Sequence, residues 1–117
     1  MILTPLVVAL ASSSPVMACV YSPTNGTVRH SPYPSPAFEA AGVRWFVKNE
    51  AISFAGGTYT KYGLPRQLAP SDIEAASQSG NVPLFVEAGN QADQPEIVYI
   101  MVRSADCSFQ PYARQQR

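Results

Sequence analysis

The sequence predicts a small domain that is mainly β, or α+β: an antiparallel sheet of about five strands with one short helix, placed after an extended, proline-rich N-terminal segment. Three observations carry that expectation. Two stretches, Val82–Val86 and Ile97–Val102, are apolar throughout and flanked by turn residues, the pattern of strands buried on both faces. Residues 43 to 62 alternate apolar and polar side chains with a period of two. Beyond the first residues there is no heptad pattern, internal repeat or second long apolar span. With 46% hydrophobic and only 14% charged residues, the chain has the composition of a folding domain and not of a disordered one.

Taken in order, Ile2–Ala11 is an almost unbroken apolar run, too short to cross a bilayer. It is followed by serines, Pro15 and Val16-Met17-Ala18, and the whole reads as a secretory signal with cleavage after Ala18. No Lys or Arg precedes the run, so the amino-terminal charge alone stands in for the usual basic region. Four parts are expected: a signal peptide over 1–18, an extended leader over 19–38, one β-rich domain over 39–112 and a polar, frayed tail over 113–117. The expected destination is the periplasm or the exterior.

The segment from Pro23 to Pro36 carries four prolines and reads as polyproline-like, with Tyr33 and Phe38 as rings available for docking. Asn25-Gly26-Thr27 is formally a glycosylation sequon and is read as a turn. Val43, Trp45 and Val47 are expected on a first strand, Lys48-Asn49-Glu50 as a turn, and Ile52 and Phe54 on a second strand paired as a hairpin. Gly56-Gly57 breaks or bulges that strand, Thr58–Tyr62 resumes β composition, and Gly63-Leu64-Pro65 stops it. Ser71 and Glu74 have capping-box spacing and mark the expected helix, ended by Gly80. Cys107-Ser108-Phe109 is expected as a short return strand before Pro111.

The two cysteines leave three readings open. Cys19 and Cys107 can pair in an oxidising compartment, closing most of the mature chain into one loop. Val16-Met17-Ala18-Cys19 can instead serve as a lipobox with Cys19 acylated, although Met17 fits poorly and Cys107 is left as an odd thiol. Both can also remain unpaired and inert. A metal site is not expected, because two Cys and one His are scattered without ligand spacing, and no cofactor is implied.

Eight basic and eight acidic side chains give a formal net charge of +0, so nothing points to nucleic acid or to an anionic membrane surface. The mature chain has no apolar segment long enough to span a membrane, which leaves a lipid anchor as its one candidate attachment. His30, the only histidine, lies among prolines and is read as a solvated linker residue; Glu87, at the end of an apolar strand, is the best single candidate for a perturbed acid. Neither has a visible partner, and the chain is read as non-enzymatic. The candidate binding surface is Tyr59, Lys61, Tyr62 and Arg66, flat rings beside two cations suited to a protein or to a carboxylate-bearing cell-wall component. The leading expectation is thus an exported binding domain of the envelope or exterior. The alternative is an inhibitor of a secreted enzyme, whose sign would be residues 63 to 66 projecting as an ordered, exposed loop.

Overall fold

The structure, a computed structural model, describes residues 17–115. The expected signal segment lies outside them except for Met17 and Ala18, as do Gln116 and Arg117. Nine strands and one helical turn of α type are present: β1 (Ala18–Ser22), β2 (Thr27–Ser31), α1 (Arg44–Val47), β3 (Ile52–Phe54), β4 (Gly57–Lys61), β5 (Arg66–Gln67), β6 (Ile73–Ser79), β7 (Val82–Glu87), β8 (Ile97–Arg103) and β9 (Ser108–Arg114). The fold is mainly β, as expected, with more strands than the five anticipated. A seven-stranded antiparallel sheet runs β3-β4-β9-β8-β7-β6, with β5 also pairing β9, and β1 and β2 form a separate hairpin.

The apolar runs become the central strands because both faces of the sheet are covered. Leu84, Val98, Ile100 and Tyr112 point into one cluster, closed by Ala40, Phe46, Ile52 and Tyr59. Their strand neighbours Phe85, Met101 and Phe109 point into another, closed by Cys19, Tyr21, Ile73 and Cys107. Successive side chains of a strand face opposite ways, so a strand with cover on both sides must be apolar without alternation.

The leader is the first correction. Residues 19–38 do not form a detached extended segment: their first half is the β1–β2 hairpin, laid over one face of the sheet. Gly26 turns the chain at a φ of 65°, its N–H donating to the Ser22 carbonyl, so the Asn25-Gly26 turn is as expected. Pro23 sits in the hairpin turn, and the other three prolines, Pro32, Pro34 and Pro36, follow β2. Phe38 docks edge-on against Tyr21 at 5.1 Å, whereas Tyr33 stays exposed.

Residues 43–47 are the second correction, a helical turn where a strand was expected. The Glu50 N–H donates to the Trp45 carbonyl and the Asn49 N–H to the Phe46 carbonyl, the paired bonds of a Schellman motif, with Asn49 left-handed at a φ of 57°. Lys48-Asn49-Glu50, expected as the turn of a hairpin, is therefore a helix stop. The turn buries Phe46 and exposes Val47, which alternation had placed on one face with Val43 and Trp45.

The third correction is the expected helix at 71–80. Pro70–Asp72 makes a single 3-10 turn in which the Asp72 carboxylate accepts the Ala69 N–H at 2.9 Å, and Glu74 already belongs to β6. The segment has one buried apolar side chain, Ile73, too little for a helical stripe, while β7 offers it a full hydrogen-bonded partner. The fourth lies in the tail. β9 continues through Pro111 to Arg114, and the Gln115 N–H donates to the Thr58 carbonyl at 2.7 Å, so residues 113–115 are ordered against β4.

Cys19 and Cys107 are joined as a disulfide across a sequence separation of 88. That bond occupies the sulfur an acyl anchor would need, and the acylated and free-thiol readings give way to it. Among the described residues no helix is long and apolar enough to cross a membrane.

Candidate functional site

β4 and β5 both pair with the same edge of β9, Lys61 opposite Tyr112 and Arg66 opposite Phe109. Four residues, Tyr62 to Pro65, thus stand opposite only two, Gln110 and Pro111, and the surplus is extruded as a loop from what is otherwise one strand line. Gly63-Leu64-Pro65 interrupts the strand without ending its course along β9. The cause is legible in β9: Pro111 accepts the Tyr62 N–H at 3.0 Å but has no N–H to return. The buried Gln110 side chain replaces that donor, with its Nε2 giving hydrogen bonds to the Gly63 carbonyl at 3.0 Å and the Tyr62 carbonyl at 3.4 Å. Gly63 turns the loop at a φ of 70°, in the left-handed region that favours glycine.

The result is a pinned loop presenting apolar surface. Leu64 is 82% exposed and Tyr62 56%, with Pro65 and Arg66 also exposed. Of the four residues expected to form a binding surface, only Tyr62 and Arg66 are part of it. Tyr59 is fully buried in the core, its hydroxyl donating to the Pro95 carbonyl at 2.6 Å, so it is removed from the surface. Lys61 is half-buried with its Nζ 3.6 Å from the centroid of the Phe46 ring, and desolvation holds its pKa below the ordinary lysine value. Leu64 is not among those four residues, although it lies in the loop 63–66 whose exposed projection is the expected sign of an inhibitor, and that loop is exposed; its signal is an apolar residue between Gly63 and Pro65, where no strand or helix can bury it.

Two other groupings bring chemically functional side chains together. An open cleft of about 350 Å³ at the end of β7 and the start of β8 is lined by Glu87, Asn90, Gln94, Glu96 and Tyr99. Two of its side chains are already engaged: Arg114 donates to Gln94 Oε1 at 2.8 Å and to Glu96 Oε1 at 3.2 Å. Glu87, like these two, is exposed.

The second grouping is at the disulfide. Antiparallel pairing puts His30 directly opposite Cys19, and the turn before β9 brings Cys107 beside them, so that one ligand atom from each lies within 4.8 Å of the others. His30 is exposed while both cysteines are buried. The scatter along the chain that argued against metal ligation is thus undone by topology: a hairpin and a covalent link bring distant residues together.

No protein-family model, curated protein or solved structure shows a match to this chain. The functional reading therefore rests on the geometry of the site.

Proposed function

We propose that this chain is an exported, non-enzymatic domain that binds a protein partner through the loop Tyr62–Arg66. The observation that carries the reading is an apolar side chain, Leu64, held 82% exposed on a loop fixed from beneath by Gln110. A leucine at the tip of a mobile loop loses entropy when it docks; a pinned one has already lost it, which favours association. Tyr62 adds flat amphipathic area and Arg66 a cation for a carboxylate, side chains favoured at the centre of protein interfaces. A cell-wall ligand is less well served, because Tyr59 and Lys61 are committed to the core and to Phe46.

Export is supported by the apolar N-terminal run and by the disulfide, which persists in oxidising compartments. Cleavage after Ala18 is compatible with the fold. Four of the five β1–β2 pairs begin at Cys19, and its nitrogen, then the chain terminus, still reaches the Ser104 carbonyl at 2.8 Å. The intact mass of protein taken from its own host without reductant checks this. A mass beginning at Cys19 with both sulfurs refusing alkylation is expected; retention of the first 18 residues sinks the export reading.

For binding, a photo-crosslinking residue at position 64 is expected to give one dominant adduct in the host, lost with Arg66→Glu. Adducts of equal yield from position 64 and from a control site on β6 would refute the loop as the binding element. The pinned, exposed loop also favours a second reading, inhibition of a secreted protease. Incubation with a panel of such enzymes is expected to reveal inhibition abolished by Leu64→Asp, and its absence across the panel eliminates this reading alone.

A further inference from the structure

The grouping of Cys19, His30 and Cys107 does more than close a loop. We propose that the disulfide masks a metal site: when a dithiol reductant opens the Cys19–Cys107 bond, the two sulfurs and the His30 imidazole take up one thiophilic d10 cation, zinc(II) or copper(I).

The reductant's two thiols give up two electrons and two protons and become a disulfide. The Cys19–Cys107 bond breaks, and its two sulfurs each gain an electron and a proton. Metal binding then expels both thiol protons to solvent, since thiolate and not thiol is the ligand. His30 contributes a ring-nitrogen lone pair in its neutral form. Three protein ligands leave zinc one position for water and satisfy copper(I) without a fourth. Two sulfurs and an imidazole are soft to borderline donors and discriminate against calcium and magnesium.

Three features support the assignment. The ligand atoms already converge within 4.8 Å, and the sulfurs need only part to about 3.8 Å, the span of two zinc–thiolate bonds of about 2.3 Å at a tetrahedral angle. Backbone bonds independent of the sulfurs hold both cysteines. One carbonyl, that of Ser104, accepts the N–H of Cys19 at 2.8 Å and of Cys107 at 3.3 Å, and the Cys107 carbonyl accepts the Leu68 N–H at 3.1 Å. Ser104 is itself fixed, its N–H and hydroxyl donating to Glu39 Oε2 at 3.0 and 2.7 Å. These bonds hold the two thiols close to one another after reduction, while the hairpin around them gains the mobility that loss of the covalent link allows. Finally, His30 is exposed beside two buried cysteines, which gives reductant and metal a side of entry.

The test uses the full mature chain, reduced anaerobically with a phosphine, desalted, and titrated with zinc(II) against a chromophoric chelator and separately with copper(I) against a copper(I)-selective one. One equivalent of at least one cation is expected on the reduced chain and none on the oxidised chain, and the arm that responds names the metal. His30→Ala is expected to weaken uptake by at least about tenfold while leaving the thermal midpoint of the oxidised protein unchanged. Cobalt(II) on the reduced chain is expected to give a thiolate-to-metal charge-transfer band. The proposal is overturned by a reduced chain that takes up no metal, whether it stays folded or not, and equally by His30→Ala binding as tightly as the parent.

Discussion

Tyr59 and Tyr112 are both fully buried and lie in the same cluster, yet their hydroxyls have opposite fates. That of Tyr59 donates to the Pro95 carbonyl, while among the described residues that of Tyr112 finds no partner. Tyr59→Phe leaves a buried acceptor unpaired and is expected to cost about 1 kcal/mol in urea unfolding, whereas Tyr112→Phe removes an unpaired group and is expected to be neutral or stabilising. Burial raises the pKa of Tyr59, opposed by Arg114 and assisted by Glu96, and pushes that of Tyr112 up to about 12. The sign of the pH dependence follows. In alkali the unfolded tyrosine loses its proton first, so the unfolded state binds fewer protons and stability falls as pH rises. For Tyr112 this contribution is fully present below pH 10 and is lost toward about 12. Denaturation midpoints followed across that window are expected to fall less steeply in Tyr112→Phe than in the parent.

Among the elements, the loop between β4 and β5 is the one whose local rules conflict with its surroundings, which is where function is expected. Gly63→Ala has open space for the added carbon but must hold a φ of 70°, so about 1 kcal/mol of destabilisation is expected from backbone strain alone. Gln110→Ala removes the donor beneath the loop and is expected to weaken partner binding more than Gly63→Ala does, because it releases the loop instead of straining it. Partner affinity measured beside urea unfolding separates the two; equal losses from both variants would show that the pin is immaterial. The helical turn α1 teaches a related lesson. Over five residues, alternation and a helical turn both place apolar groups plausibly, and a left-handed Asn49 suits the stop of either, so local pattern does not separate them.

For the whole molecule, the disulfide fastens the N-terminal hairpin to the turn that opens β9, across nearly the full length of the described chain. A loop of that size implies about 4 to 5 kcal/mol as an upper estimate from unfolded-state entropy. Cys19→Ala with Cys107→Ala is therefore expected to shift the denaturation midpoint by a large fraction of the stability of so small a domain. Hydrogen exchange in that variant is expected to quicken first in residues 18–31, whose two strands pair with each other and not with the main sheet, and a uniform change across all strands would contradict this.

The sequence by itself determined the class of fold, the buried character of Val82–Val86 and of Val98, Ile100 and Met101, the turn at Gly26, and the net charge. These follow from local chemistry: period-two patterning, glycine's freedom at positive φ, and summed charge. The tertiary structure alone decided which residues meet. Tyr59 and Tyr62, three positions apart, separate into core and surface because Tyr59 still lies in β4 while Tyr62 begins the extruded loop, and Ser71–Ser79 is mostly strand because β7 needed a partner. His30 faces Cys19 through a ladder, and Cys107 arrives from the far end of the chain. Spacing along a sequence cannot reveal a site assembled from three separate segments, because the distances that create it are set by pairing register and by the covalent link and not by the chain between them.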